Sequence, residues 1–264
     1  MSPILVFDSG LGGLTVFREI EKALPGAAFV YAADDAVFPY GALAPDALVA
    51  RVMSVMEALI GRWRPQAAVI ACNTASTLVL PHLRARWPAI PFVGTVPAIK
   101  PCAERTKSGL ISVLATPGTV ARDYTRDLIA SFASHCDVQL VGSKKLAGLA
   151  ESFMRGGAVA DADIAAEIAP CFVQRDGRRT DMIALACTHY PLLLERFRAL
   201  APWPVEWVDP APAIARRVKQ VVGAEQTGGA PPYPAIFTSG AAPDATLAKA
   251  LAAFGLRADA IAAV

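Results

Sequence analysis

Short runs of Val, Ile, Leu and Ala alternate with amphipathic helical stretches along almost the whole chain, and this alternation constrains the fold most. Apolar runs typical of strands lie at residues 4–7, 29–32, 68–71, 92–96, 110–115, 138–141, 182–186, 205–208 and 235–238. Helical patterns lie at residues 13–23, 45–62, 75–84, 118–132, 161–173, 191–200, 211–222 and 243–253. Continuous apolar strands separated by helices are typical of parallel sheets that helices cover on both faces. The sequence therefore predicts an α/β fold.

Two proline-containing segments divide this pattern. They are "TVPAIKP" (95–101) and "VDPAP" (208–212), and the segment between them has strands and helices of its own. We therefore predict two similar lobes, each a mostly parallel sheet covered by helices, with the active site in the cleft between them. Residues 1–97 and 209–264 would form the first lobe, and residues 98–208 the second.

The composition narrows the class of protein. Apolar residues make up 54% of the chain and charged residues 18%, which indicates a packed globular protein. The net charge is only +2, and no basic stripe is interleaved with aromatic residues, so we expect no nucleic-acid partner. The densest basic run, "RDGRR" (175–179), is typical of a solvated turn.

The start of the chain and its cysteines indicate a location. "MSPILVFDSG" lacks the features of a secretory signal, and no apolar run approaches the roughly 18 residues that span a bilayer. The five cysteines do not resemble a disulfide framework, and neither CxxC nor HExxH occurs. We expect a cytoplasmic protein with no membrane partner, no bound metal and no cofactor.

Two cysteines stand at matching places in the pattern. Cys72 follows the apolar run 68–71 in "IACNTAS", and Cys187 follows the run 182–186 in "LACTHYP". Each thiol would lie at the carboxyl end of a parallel strand, where open α/β sheets place their ligands. A buried cysteine is usually an inert core residue, and that interpretation remains open for either one alone.

Polar residues follow both cysteines at once. Asn73 and Thr74 follow the first thiol, and Thr188 and His189 follow the second. Polar side chains between a strand and a helix cap the helix or contact a ligand. An imidazole next to a thiol can hold it as thiolate or move its proton, although a lone histidine is also compatible with a core position.

A pair of matched thiols suits one reaction in particular. A cysteine hydrolase needs a single thiol, and a redox dithiol needs two sulfurs close enough to bond. Inversion of a carbon stereocentre uses two weak acids, because one removes a proton from one face and the other returns a proton to the opposite face. With the carbon roughly 3–3.5 Å from each group, the sulfurs would lie about 7 Å apart.

A glycine-rich turn follows the first strand in "FDSGLGGLTV" (7–16). Such a turn presents backbone N–H groups to an anion, although it also occurs without any chemistry. A dinucleotide fingerprint, GxGxxG, would need glycine where Thr15 stands, and Asp8 would repel a pyrophosphate. Asp34 and Asp35 favour that fingerprint, because they lie where a ribose-binding acid is expected. A nicotinamide-dependent oxidoreductase therefore remains an alternative function.

Several motifs together resemble the glutamate racemase family. They are "FDSGLGGLTV", "FPYG" (38–41), "ACNTAS" (71–76), "ATPGTV" (115–120), "ACTHYPLL" (186–193) and "FTSG" (237–240). The resemblance implies a cofactor-independent isomerase that interconverts L- and D-glutamate, the latter for peptidoglycan synthesis, cell wall biogenesis and cell shape. It also implies a cytoplasmic protein, with a homodimer possible.

The resemblance also assigns site residues. The implied catalytic residues are Cys72, Cys187, Asp8 and His189, with the first thiol acting on the D isomer and the second on the L isomer. The implied substrate-binding residues are Ser9, Pro39, Tyr40, Gly41, Asn73, Thr74, Thr116, Thr119 and Thr188. Glu151, in "KLAGLAESF", corresponds to a glutamate that supports catalysis.

The reaction needs donors for the charge that develops on the substrate. An amino-acid Cα–H is a very weak acid, so an enediolate-like intermediate must be stabilised by preorganised N–H and O–H groups. We expect Asn73, Thr74, Thr188 and the turn after Asp8 to supply them. A racemase for aspartate or another acidic amino acid would use the same mechanism. A binding protein without catalytic activity is the remaining alternative.

Overall fold

The apolar runs form strands of two separate parallel sheets in a computed structural model, which describes residues 2–259. The strands are β1 (Ile4–Asp8), β2 (Phe29–Ala33), β3 (Ala67–Ile70), β4 (Phe92–Gly94), β5 (Leu110–Ala115), β6 (Asp137–Gly142), β7 (Gln174–Arg175), β8 (Arg178–Arg179), β9 (Met182–Ala186), β10 (Glu206–Val208), β11 (Tyr233–Phe237) and β12 (Leu256–Ala258). The first sheet has the order β12-β11-β2-β1-β3-β4, and the second has the order β10-β9-β5-β6. Every pairing in these two sheets is parallel, whereas β7 and β8 form a small antiparallel hairpin.

Helices cover both faces of each sheet. They are α1 (Leu14–Ala23), α2 (Pro45–Trp63), α3 (Asn73–Arg86), α4 (Ile99–Arg105), α5 (Pro117–Val120), α6 (Asp123–Phe132), α7 (Leu146–Met154), α8 (Asp161–Ile168), α9 (Leu194–Leu200), α10 (Ala211–Val222) and α11 (Ala245–Ala252). Helices α1, α10 and α11 pack on one face of the first sheet, and α2 and α3 pack on the other. Helices α7, α8 and α9 cover one face of the second sheet, and α4 and α6 cover the other. The predicted α/β class with two helix-covered lobes is confirmed.

Strand β1 shows why the apolar runs are continuous. Ile4 and Val6 pack into the core on one face of the first sheet, while Leu5 and Phe7 pack into the core on the other. All four side chains are fully buried, and each such burial stabilises the fold by about 1.5–3 kcal/mol. Because β1 lies between β2 and β3, Asp8 at its end lies in the middle of the sheet's carboxyl edge.

Several predicted boundaries were wrong. The predicted strand 92–96 ends at Gly94, because the N–H and the hydroxyl of Thr95 donate to Ser76 Oγ at 3.0 and 3.2 Å instead of continuing the sheet. The predicted helix 118–132 is two helices, since Arg122 between them is extended. The sequence prediction also omitted α4, α7, β12 and the hairpin, whose turn at 176–177 is the exposed turn that "RDGRR" predicted.

The first sheet is formed by two stretches of the chain that are separated by the strands of the second sheet. The first sheet takes β1 to β4 and then β11 and β12, and the second takes β5, β6, β9 and β10. The division at residues 97 and 209 stays a prediction. Within residues 2–259, no helix is both long enough and apolar enough to cross a membrane.

Candidate active site

The two predicted thiols open onto one cavity. Cys72 ends the β3 segment and caps α3, where its carbonyl oxygen accepts the first helical hydrogen bond from Ser76 N at 2.8 Å. Cys187 follows β9 in the second sheet. The cavity measures about 20 Å³ and is lined by Ser9, Phe38, Pro39, Tyr40, Gly41, Cys72, Asn73, Thr74, Thr116, Ala147, Cys187, Thr188 and His189. One thiol therefore reaches the cavity from each sheet.

Most of the residues that the sequence singled out line this cavity, but Asp8, Thr119 and Glu151 do not. Asp8 is fully buried and lies behind Ser9, whose N–H donates to Asp8 Oδ1 at 2.7 Å. Thr119 is also fully buried, and its hydroxyl lies 3.1 Å from the hydroxyl of Thr116. These two side chains act on the cavity only through their neighbours.

The sequence did not assign two of the lining residues. Phe38 packs its ring 5.2 Å from the ring of His189, and it begins the "FPYG" motif, whose other three residues the resemblance assigned to substrate binding. Ala147 lies in α7, a helix that the sequence prediction omitted. A helical interpretation of 146–154 would have placed Ala147 one turn before Glu151 and on the same face.

The cavity is small. A volume of about 20 Å³ holds roughly one water molecule, which is less than an amino acid needs. A larger groove of about 760 Å³, with Ser76, Arg84, Tyr124 and Arg217 among its lining residues, contains neither Cys72 nor Cys187. The site is therefore identified by the side chains that line the cavity and not by the volume of the cavity.

The N–H groups of the glycine-rich turn at residues 11–13 point at groups of the protein itself. Leu11 N–H donates to Glu151 Oε2 at 2.9 Å, and Gly13 N–H donates to Asp8 Oδ2. Gly12 N–H points at His189 Nε2 at 3.2 Å. The expectation that this turn supplies donors to a reacting carboxylate was therefore wrong for these three N–H groups.

Both acids that favoured a dinucleotide site accept hydrogen bonds from groups of the protein. Asp34 is fully buried and accepts hydrogen bonds from Tyr40, Arg51 and Thr238. Asp35 accepts from the N–H and the hydroxyl of Ser239 at 2.9 and 2.7 Å. Both observations behind the dinucleotide interpretation therefore have a structural explanation.

His189 and Glu151 form a buried pair at the cavity wall. Nε2 of His189 lies 3.0 Å from Oε2 of Glu151, and Arg155 donates to Oε1 at 3.0 and 3.2 Å. Burial raises the pKa of Glu151, but the hydrogen bond and charge of His189, the Leu11 N–H and Arg155 outweigh that effect and lower it. The second lobe thus holds an ionised carboxylate against the imidazole.

The same pair keeps His189 protonated. Burial alone lowers the pKa of His189, but hydrogen bonds with Cys187 and Glu151 and the charge of Asp8 raise it well above its usual value. A protonated ring and a neutral ring with its proton on Nε2 can both donate to the carboxylate at 3.0 Å, whereas only a neutral ring with a bare Nε2 would accept from Gly12 N–H at 3.2 Å. We favour the protonated ring, because the pKa of His189 is raised well above its usual value. Cys187 therefore lies beside a cation.

The environment of Cys72 is different. Burial and the negative charge of Asp8 raise the pKa of the Cys72 thiol, which lies 3.7 Å from the hydroxyl of Ser9. Burial also raises the pKa of Asp8, although the charge of His189 and the N–H groups of Ser9 and Gly13 reduce that effect. The two thiols consequently face the cavity from opposite electrostatic settings, one beside an acid and one beside an imidazolium.

Asn73 is the clearest candidate for a ligand contact. Its side chain is buried in the cavity wall, and among residues 2–259 neither its Oδ1 nor its Nδ2 has a hydrogen-bond partner. An unpaired buried polar group costs about 1–3 kcal/mol, so such groups mark places where a ligand completes the bonding.

Hydroxyl groups join the two lobes beside it. Thr74 Oγ1 lies 3.0 Å from Thr116 Oγ1, which belongs to the second lobe. Thr188 Oγ1 donates to Asp8 Oδ2 at 3.3 Å, again across the lobes. These hydroxyls have polar partners within the protein and can rotate to donate toward the cavity that they line.

Comparison with known proteins finds likeness over the full chain. A family model described as Asp/Glu/Hydantoin racemase matches residues 4–218. The chain is 57% identical over 269 residues to the glutamate racemase of Rhizobium meliloti (strain 1021), covering 100% of this chain and 96% of that protein. It is 56% identical over 258 residues to the glutamate racemase of Agrobacterium fabrum (strain C58 / ATCC 33970), covering 97% and 94%.

The fold agrees with these likenesses. The structure matches the crystal structure of Escherichia coli glutamate racemase in complex with L-glutamate and the activator UDP-MurNAc-ala, with a TM-score of 0.88 and 37% identity. That match covers 98% of this chain and 99% of the other. The resemblance that the sequence motifs predicted is confirmed.

Proposed function

The chain belongs to the Asp/Glu/Hydantoin racemase family, and we propose that it interconverts L- and D-glutamate by proton transfer between the substrate and two thiols, Cys72 and Cys187. The observation that carries this proposal is the position of the two thiols, which line one cavity from two separate sheets. A substrate held between them has its Cα within reach of one thiol on each face. The reaction needs no cofactor, because both proton carriers are side chains.

The proton balance of the reaction is simple. One sulfur, as thiolate, removes the Cα proton, so that the C–H bond breaks and an S–H bond forms. The other sulfur, as thiol, donates its proton to the opposite face of the carbon. We assign proton removal from the D isomer to Cys72 and from the L isomer to Cys187, and after each turnover the thiols have exchanged protonation states.

The charge on the intermediate requires donors. When the Cα proton leaves, negative charge develops on the substrate's α-carboxylate, and preorganised hydrogen bonds lower the barrier. Asn73 supports this role, because both polar atoms of its side chain lack a partner within residues 2–259. Thr74 and Thr188 supply hydroxyls at the same wall. Ser9, Pro39, Tyr40, Gly41 and Thr116 complete the substrate-binding surface.

Two further groups assist the thiols. His189, held as an imidazolium by Glu151, lies beside Cys187 in the cavity wall and assists its proton transfer. Asp8 lies next to Ser9 and Cys72 and disfavours the thiolate of Cys72. The Cys72 sulfur therefore stays protonated, ready to donate its proton when the L isomer reacts. Thr119 supports Thr116 from behind.

The cellular role follows from the product. D-Glutamate is a building block of peptidoglycan, so we assign the protein to cell wall synthesis in the cytoplasm, where L-glutamate is available. We also propose that the protein forms a homodimer. A larger cavity is needed to admit glutamate, so the lobes must separate and close in each turnover.

One experiment tests the function. The protein is incubated with L-glutamate in D2O without added cofactor, while optical rotation and Cα deuterium are followed. We expect the rotation to fall to zero as deuterium enters Cα. An absorbance change that requires a nicotinamide, or binding of glutamate without isotope exchange, would instead indicate an oxidoreductase or a binding protein.

Matched variants test the assignment of the thiols. Cys72→Ser and Cys187→Ser should each lower kcat by about a hundredfold or more, because serine is a far weaker acid than cysteine. Cys102→Ser is the control, since Cys102 is equally buried but packs in the core of the second lobe. Full activity in either cavity variant would refute the two-thiol assignment. Aspartate in place of glutamate tests the substrate, and we expect slower racemisation.

A further inference from the structure

Asp34 is a buried carboxylate that the proposed reaction does not use. It follows β2 at the carboxyl edge of the first sheet, and its side chain is fully buried. Three side chains donate to it. Tyr40 Oη lies 2.5 Å from Oδ2, Thr238 Oγ1 lies 2.5 Å from Oδ1, and Arg51 donates to both oxygens at 2.9 and 2.6 Å.

The donors come from three different elements. Tyr40 belongs to the segment 38–44 between β2 and α2, which we call the cavity loop. Arg51 lies in α2, directly after the cavity loop, and Thr238 follows β11 on the other side of β2. One carboxylate therefore holds the middle of the cavity loop and the helix that follows it to the same point of the sheet.

The cavity loop covers the candidate site. Phe38 packs against the ring of His189 at 5.2 Å, and Pro39, Tyr40 and Gly41 line the cavity. A Cβ on Gly41 would lie 3.3 Å from Thr116 Cβ, so the backbone of the cavity loop lies against the second lobe. A shift of Tyr40 would move all of these contacts together.

Asp34 and its three donors, which we call the anchor, are chemically suited to a fixed position. Burial of an ionised carboxylate is costly unless hydrogen bonds and an opposite charge compensate it, and Asp34 has both. Burial and the charge of Asp34 raise the pKa of Tyr40, so its hydroxyl stays protonated and donates. Hydrogen bonds to an ionised acceptor are about twice as strong as neutral ones.

We propose that Asp34 is a positioning residue, which through Tyr40 holds the cavity loop in the place that binds substrate. This inference rests on the proposed function of the site. Asp34 does not line the cavity, and of its three donors only Tyr40 does. Thr238 of the "FTSG" motif donates to the same carboxylate from the β11 side and does not contact the cavity loop through this hydrogen bond.

A matched pair of variants tests the proposal. Tyr40→Phe and Thr238→Val each remove one hydroxyl that donates to Asp34 at 2.5 Å, but only the first lies on the cavity loop. We expect Tyr40→Phe to raise KM for both isomers by about tenfold, which is the effect of one charge-assisted hydrogen bond. Thr238→Val should lower Tm while KM stays within about twofold of the wild type. Equal KM changes, or changes in Tm only, would overturn the proposal.

A double-mutant cycle excludes a direct role of the Tyr40 hydroxyl on substrate. Asp34→Asn alone should raise KM, and adding Tyr40→Phe should then change KM little further, because both variants break the same contact. Additive effects would mean that the hydroxyl acts on substrate independently of Asp34, which would overturn the proposal. If Asp34→Asn does not fold, the matched pair decides. Racemisation by the wild type is measured first, so failure of the proposed function is seen separately.

Discussion

Gly12 lies where the two lobes meet, and the absence of a side chain there is part of the site. A Cβ at this position would lie 2.3 Å from Nδ1 of His189 and 2.6 Å from its backbone nitrogen. The glycine is therefore required by the close approach of the turn to the imidazole. The sequence singled out this turn correctly but assigned it to an anion, because a pattern of glycines does not say which group approaches the backbone.

Substitution of Gly12 should damage both stability and activity. In Gly12→Ala the new methyl group displaces His189, and overpacking of this kind costs about 1–3 kcal/mol. A displacement of about 1 Å at a reacting group lowers kcat by about a hundredfold. The measurements are Tm by calorimetry and kcat by racemisation.

Gly61→Ala serves as the control for this prediction. Gly61 lies in α2, and a Cβ there meets nothing within 4 Å. Alanine in a helix is favoured over glycine by about 0.5–1 kcal/mol, so Tm should rise slightly and kcat should not change. If both variants behave alike, the close approach of Gly12 to His189 is not important for the site.

Single residues were the most predictable part of the site. Cys72 and Cys187 were identified by polar residues that follow an apolar run, and both line the cavity. Asp8 was expected to act at the site, but its full burial behind Ser9 depends on packing that spacing does not reveal. The anchor at Asp34 was equally invisible, because its donors lie as far away in the chain as Thr238.

At the scale of elements, α5 begins at the cavity. Thr116 caps this short helix by accepting from Thr119 N–H at 3.3 Å, and its hydroxyl also lies 3.0 Å from that of Thr74 in the first lobe. One hydroxyl therefore caps the start of a helix and joins the lobes. Comparison with a helix cap that lies away from the cavity separates the effect of Thr116 on stability from its effect on substrate binding.

Thr116→Val should affect both stability and substrate binding. Loss of a cap costs about 1 kcal/mol, which lowers Tm by about 2–4 °C in a protein of this size. Loss of the contact with Thr74 should also raise KM. In Asp244→Ala, which removes the side chain that caps α11 by accepting from Leu247 N–H at 2.7 Å, Tm should fall by a similar amount with KM unchanged. An unchanged KM in Thr116→Val would remove Thr116 from the binding surface.

Two of the elements that the sequence did not predict, β12 and α4, have different physical reasons. Strand β12 has three residues at the edge of the first sheet and is defined by its pairing with β11 rather than by its own composition. Helix α4 contains Pro101, which usually ends a helix but is tolerated here because it lies in the first turn. Long apolar runs, by contrast, carry their own signal, and β1, β5 and β9 begin where they were predicted.

At the scale of the whole molecule, the buried pair of Glu151 and His189 ties stability to pH. The pKa of Glu151 is lowered on folding, so its contribution is present above the unfolded value of about 4.3 and is lost as pH falls through the folded value. The pKa of His189 is raised, so its contribution is present below the unfolded value of about 6.5 and is lost as pH rises through the folded value. The two windows overlap between about pH 4.3 and pH 6.5.

Glu151→Gln should therefore be most destabilising in that window. We expect the free energy of unfolding to fall by about 1–3 kcal/mol between those pH values, and the difference from the wild type to shrink toward either extreme. Chemical denaturation across pH measures this difference. Glu167→Gln is the control, because it removes a carboxylate that accepts from Ser143 Oγ at 2.6 Å instead of from His189. A difference that is independent of pH would mean that the pair is not ionised.

We propose that two thiols act on opposite faces of one carbon, and the isotope content of both isomers at low conversion in D2O tests this proposal. We predict that the product isomer carries deuterium at Cα from the first turnovers, while unreacted substrate retains its protium, because the proton that leaves goes to one sulfur and the proton that arrives comes from the other. Product that retains the substrate's own hydrogen would show a single group transferring it between faces, and would contradict the account.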